Sequence, residues 1–92
     1  MKVFLFSQPQ KAASFVRKAI ENQPNLNQID KSFCERVYDT VSAANAASGF
    51  HYVQIGVASQ SAIDLMIGAL NQASVPANVV QAREGDELQV LF

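Results

Sequence analysis

The sequence contains no tryptophan, one cysteine, one histidine and few charges of either sign. A lone Cys34 cannot close an internal disulfide, and one cysteine with one histidine cannot assemble a zinc site; a disulfide framework and a thiolate–imidazole metal centre are both excluded. Cys34 sits among apolar neighbours on a helical pattern and reads as a buried thiol. The seven basic residues (Lys2, Lys11, Arg17, Lys18, Lys31, Arg36 and Arg83) are scattered among eight acidic ones, for a net charge of -1. Duplex binding needs clustered cations, so no nucleic-acid partner is expected. Long hydrophobic runs are missing too. Runs such as VFLF and MIGAL fall far below the roughly 20 residues of a membrane-crossing helix, and no membrane insertion is expected. The opening MKVFLFSQPQ has a basic residue and an apolar run, but the run is too short for a signal-peptide core and no small-residue cleavage site follows. It reads as a strand, and the expected location is cytoplasmic.

What is present is enough for one hydrophobic core. Apolar residues make up 49% of the 92, with six phenylalanines among them, which fits a single domain spanning 1–92. Lys2 to Phe6 is an interior strand with apolar side chains on both faces. Ala12, Phe15, Val16, Ala19 and Ile20 recur at helical spacing, predicting an amphipathic helix from about Pro9 to Asn22. After the polar loop NQPNLNQ a second helix is expected near Asp30 as its cap, with Ile29 packing back on Cys34 as a staple and Ser32/Glu35 as an alternative capping box. Its stripe is Phe33, Val37, Tyr38, Val41 and Ala44, and Gly49 stops it.

FHYVQIGVA alternates Tyr52, Gln54 and Gly56 against Val53, Ile55 and Val57, the pattern of a strand with one strongly apolar face. Ser59 or Ser61 then caps a third helix, with Asp64 completing a capping box to Ser61. A broad arc of Ala62, Ile63, Leu65, Met66, Ile67, Ala69, Leu70 and Ala73 follows, ending before Pro76. Val75 to Val80 opens another strand, REGDE is a turn, and LQVLF is the last strand. The order β-α-α-β-α-β-β predicts an α+β sandwich: a mixed four-stranded sheet with helices mainly on one face, ferredoxin-like or related.

From His51 onward, Tyr52, Val53, Gln54 and Gly56 in the strand, Ala62, Leu65 and Leu70 in the helix, and Val75 to Val80 beyond it resemble the first half of a SPOR domain, the ferredoxin-like module of bacterial cell-division proteins. The resemblance covers residues 51–92 and implies a βαββ half; in that family the implied activity is binding of glycan strands. The pattern departs from the family in order. Its second helix and fourth strand would follow, whereas here an extra strand and helices stand in front, so the resemblance implies a rearranged version with Val3 to Phe6 and the following helix as replacements. Family members are periplasmic and membrane-anchored, and no anchor or export signal is legible here.

No catalytic constellation emerges. His51 and Ser59 lie at opposite ends of one extended stretch, roughly 25 Å apart at about 3.3 Å per residue, so they cannot join Asp64 in a triad. Glu84, Asp86 and Glu87 around Gly85 lack the length and ligand count of a calcium loop and read as a solvated turn. No metal or cofactor is expected, and no enzymatic activity. The aromatics on strands, Phe4, Phe6, Tyr52 and Phe92, read as core residues rather than base-stacking platforms.

Two functional readings remain. The first is a small non-catalytic protein-interaction module, regulatory or accessory, binding a protein partner or a second copy through a sheet edge or helix face. Its expected edge is the final strand, with Gln89 and Leu91 on the outer face and Leu88, Val90 and Phe92 inward, because nothing charged blunts LQVLF. The second is a small-ligand binder for an anion, nucleotide or glycan. Two strands end in Ser-Gln; if they are parallel neighbours, Ser7, Gln8, Ser59, Gln60 and Ser61 converge at one carboxyl edge, where the N–H groups opening the third helix could hold an anion.

Overall fold

In the computed structural model, residues 2–7, 12–43, 50–83 and 89–91 are described. The elements run β1 (Lys2–Ser7), α1 (Ala13–Glu21), α2 (Gln28–Ala43), β2 (Phe50–Gln54), α3 (Gln60–Gln72), β3 (Ala77–Arg83) and a short β4 (Gln89–Leu91). Together they form a small α+β domain: three helices against an antiparallel sheet in which β1 lies between β2 and β3, and β4 pairs with β3.

Central placement explains why β1 is apolar on both faces. Val3, Phe4, Leu5 and Phe6 are all buried. Phe4 lies opposite Val53 on β2 and Val79 on β3, and Phe6 opposite His51 and Ala77. Phe4, Phe6, Val53 and Ala77 face the helices and join the core cluster with Val16, Phe33, Val37, Met66 and Leu70, while Val79 is 38% exposed. Val3 and Leu5 point to the other face and stay outside that cluster, flanked across the strands by Gln54, Val80, Tyr52 and Asn78.

Every strand pairing is antiparallel, so the expected mixed sheet is corrected. Each short connection reverses the chain, and two helices intervene between β1 and β2; β2 therefore returns antiparallel to β1. Only α3 separates β2 from β3, which do run parallel to one another. They are held apart by β1 and share no ladder.

Helix α1 starts after Ala12, which offers no side-chain cap; Pro9 to Lys11, where its start was expected, lie outside the described residues. Ala12, Val16 and Ile20 are buried as the periodicity predicts, while Phe15 is part-exposed. Arg17 ties α1 to α2, its Nη1 lying 3.4 Å from Glu35 Oε1 and its guanidinium 4.0 Å from the centre of the Tyr38 ring. Along α2 the stripe Phe33, Cys34, Val37 and Val41 is buried; Ala44 and Gly49 lie outside the described residues. Among the described residues no helix is long and apolar enough to cross a membrane.

The helix α2 cap is Asn27, not Asp30. Asn27 Oδ1 accepts from the Asp30 N–H at 2.8 Å, and the Lys31 N–H bonds to the Asn27 carbonyl at 2.8 Å. Asp30 therefore stands three positions inside, and Ile29 does not staple to Cys34: it is 53% exposed. Helix α3 is capped by Ser59, whose Oγ accepts from the Ala62 N–H at 3.3 Å. Asp64 makes no capping box with Ser61; it accepts from Gln60 Nε2 at 2.9 Å.

The end of α3 closes with the Val75 N–H on the Leu70 carbonyl at 2.9 Å and the Ser74 N–H on the Asn71 carbonyl at 3.0 Å. This is a Schellman motif, with Val75 and Leu70 both buried beside it. It requires Ser74 to adopt φ 61°, where a side chain is strained and glycine is not. Ser74→Gly is accordingly expected to stabilise the fold by about 0.5–1 kcal/mol, raising the thermal midpoint by roughly 2–8 °C. Differential scanning calorimetry checks it, and a lowered midpoint would refute the strain argument.

Candidate functional site

The two Ser-Gln strand ends do not come together. Ser7 pairs with Phe50 at one end of β1, whereas β2 leaves the sheet at the other end, where Gln54 lies opposite Val3 and the Ile55 N–H donates to the Lys2 carbonyl at 3.2 Å. Ser59, Gln60 and Ser61 follow from that far end, and Gln8 lies outside the described residues. The convergence needed parallel neighbours, and the pairing is antiparallel. The hydroxyl of Ser59 is also committed. It donates to Asp30 Oδ2 at 2.7 Å while its backbone N–H donates to Asp30 Oδ1 at 2.8 Å. The anion expected at the start of α3 is thus supplied by the chain itself, as the buried carboxylate of Asp30.

Asn27 Nδ2 adds a further contact to Asp30 Oδ2 at 3.3 Å. The hydrogen bonds from the Ser59 backbone and hydroxyl hold the Asp30 carboxyl below the usual carboxylate range, against the opposing effect of burial. Nearby, burial pushes the Cys34 thiol up to about 11, with the charges of Asp30 and Glu35 adding to it. At mildly alkaline pH Cys34 should therefore resist iodoacetamide in the native domain and react only on unfolding. Mass spectrometry of the alkylated protein with and without urea checks this; fast native labelling would contradict the burial.

Chemistry of other kinds finds little purchase among the described residues. They contain no group of three histidine, cysteine or carboxylate side chains placed to hold a metal ion. His51 lies opposite Phe6, its ring 6.0 Å away and nearly parallel, at the other end of β2 from Ser59. Its Nε2 is buried without a hydrogen-bond partner among the described residues. A cleft of about 510 Å³ runs between α1 and α3 over Phe15, Ala19, Leu65 and Gly68, with Lys18 and Asp64 also lining it.

A second groove of about 370 Å³ sits beside β2, between the start of α2 and the turn leading to α3, lined by Ile29, Ser32, Arg36, Ile55, Gly56 and Val57. The strand expected to run through Val57 ends at Gln54. Ile55 to Ala58 instead form a turn closed by the Ala58 N–H on the Ile55 carbonyl at 3.2 Å, with Gly56 at φ 61°. Positive φ at the first central position is the type II′ pattern, which glycine adopts without strain. The turn lifts Val57 out of the core, leaving it 80% exposed. Ile29 meets the same groove from α2. Sequence periodicity places both residues inward, and only the Gly56 turn signal could have warned otherwise.

The groove adjoins β2, the terminal strand on this side of the sheet among the described residues. Because the Ile55 N–H bonds to Lys2, alternation turns the N–H and C=O groups of Tyr52 and Gln54 away from β1. One of these outward groups is already taken: Arg36 Nη1 donates to the Gln54 carbonyl at 2.8 Å. Tyr52 itself is 48% exposed. At the opposite end of the sheet, Gln89 pairs with Arg83 and Leu91 with Gln81; the inward or outward placement expected for their side chains, and for those of Leu88, Val90 and Phe92, lies outside what is described. Comparison of the chain with family models, curated proteins and solved structures returned no match.

Proposed function

We propose that the domain is a small non-catalytic interaction module, regulatory or accessory in role, that binds a protein partner or a second copy through a sheet edge. One observation carries the reading. The strands at the two ends of the sheet, β2 (FHYVQ) and β4 (QVL), contain no lysine, arginine, proline or carboxylate, the devices that ordinarily keep an edge from pairing with another chain. Sheet edges without such residues can bind by strand addition, with main-chain hydrogen bonds supplying affinity and side chains supplying selectivity. A small-ligand reading draws no support from the strand ends, which lie at opposite ends of β1.

The expected result is loss of association when either edge is charged. Size-exclusion chromatography with light scattering, and pull-down of a partner, should show self-association or capture that Tyr52→Lys or Leu91→Lys removes while circular dichroism stays native. If the domain is a strict monomer that captures nothing, or if both folded variants associate as the parent does, the reading fails.

A further inference from the structure

We infer that the groove beside β2 takes an extended peptide segment in which an apolar side chain and an Asp or Glu side chain stand two positions apart. The inference rests on the edge-binding reading above and names the partner of one edge. In the groove, Ile29 and Val57 present exposed apolar surface, and among the described residues Arg36 is the one charged residue lining it. The guanidinium uses one of its donors, on the Gln54 carbonyl, and lies 5.9 Å from the centre of the Phe33 ring. A planar fork with further donors beside an exposed apolar surface matches a carboxylate next to a hydrophobic group.

The edge fixes how such a segment would lie. A strand added beside β2 pairs with the outward groups of Tyr52 and Gln54, and every second side chain then points to the side where α2 and the turn stand. That alternation gives the spacing of two. Arg36 acts as a placeholder in the free domain. On binding, its hydrogen bond to the Gln54 carbonyl passes to a peptide N–H, and the released guanidinium takes the carboxylate. An internal acidic side chain is favoured over a chain terminus because the added strand runs on past Gln54 along the turn.

The test is selection from a positional-scanning library of short peptides with acetylated and amidated ends, followed by calorimetric titration of the best sequence and of its Asp→Asn or Glu→Gln counterpart. The native domain should enrich Leu, Ile or Val two positions from Asp or Glu. Neutralising the peptide acid should weaken binding roughly 10- to 100-fold. Arg36→Gln should bind both peptides equally, and Val57→Ser, at an exposed position that leaves the fold intact, should lose the apolar preference while keeping the acidic one. The inference is overturned if no motif is enriched, if Arg36→Gln selects the same motif, or if binding needs a free terminal carboxylate. Should any of these occur while Tyr52→Lys or Leu91→Lys still abolishes association, this inference falls alone; should the edge variants also associate normally, the edge reading falls with it.

Discussion

Phe4→Ala is expected to cost about 3–5 kcal/mol, the range for emptying a fully buried aromatic site. Phe4 is fully buried on the central strand, with its ring 5.9 Å from that of Phe6 and edge-on to Phe33 at 5.8 Å. Removing it opens a cavity beneath the helices and severs two aromatic contacts, each worth about 0.5–1.5 kcal/mol beyond the area they bury. A domain of this size has a total stability of roughly 5–14 kcal/mol, so the variant should sit close to the edge of folding. Urea titration followed by circular dichroism would show a midpoint lowered by 1 M or more, given slopes of about 1–3 kcal/mol/M. Phe4→Leu keeps most of the volume and should cost less than half as much. Equal losses for the two variants would mean that cavity formation is not what destabilises the domain.

The second large effect concerns acid. In the folded domain Asp30 holds its proton less tightly than in the unfolded chain, because the Ser59 N–H and hydroxyl both donate to its charged form. A depressed native value means that the stabilisation is fully present above the unfolded value of 3.8 and is lost as the pH falls through the native one. Asp30→Asn removes the charge and sets an amide against the donors of Ser59. At neutral pH the variant should therefore melt several degrees lower than the parent. The gap should persist down to the unfolded carboxyl value, narrow below it, and close only beneath the native one. Thermal melts of both proteins across that range decide it. A gap independent of pH would show that the contacts, not the charge, carry the stabilisation.

Much of the fold was legible in the sequence because burial imposes periodicity. The stripes of α1, α2 and α3 and the apolar run of β1 follow from spacing alone, and Ser59 as the α3 cap follows from residue chemistry. Strand direction was harder to read. A strand, helix, strand rule suits β2-α3-β3, but two helices stand between β1 and β2, and the resulting odd number of reversals, three, turns the second strand around. That single difference removed the Ser7 and Ser59 convergence. The candidate groove was hidden for another reason: Ile29 and Val57 are apolar, and an apolar residue inside an amphipathic pattern reads as core. Their exposure depends on Asn27 starting α2 earlier than expected and on Gly56 turning the chain at Ile55. Asp30 reads from the sequence as a cap, but Asn27 takes that place, and the reach of Asp30 to Ser59 depends on how the two helix starts meet in space.

The central position of β1 also bears on how the domain is made. Its two ladder partners, β2 and β3, both come from the second half of the chain. During synthesis the segment Val3 to Phe6 emerges before both of its ladder partners, and its pairing waits on β2 and then on β3 leaving the ribosome. Pairings so distant in sequence slow folding through the entropy of closing the chain between them. Until then a bare apolar strand is open to the wrong neighbours, so the nascent chain would be expected to rely on a chaperone or on rapid burial of Phe4 and Phe6 against the helices that follow.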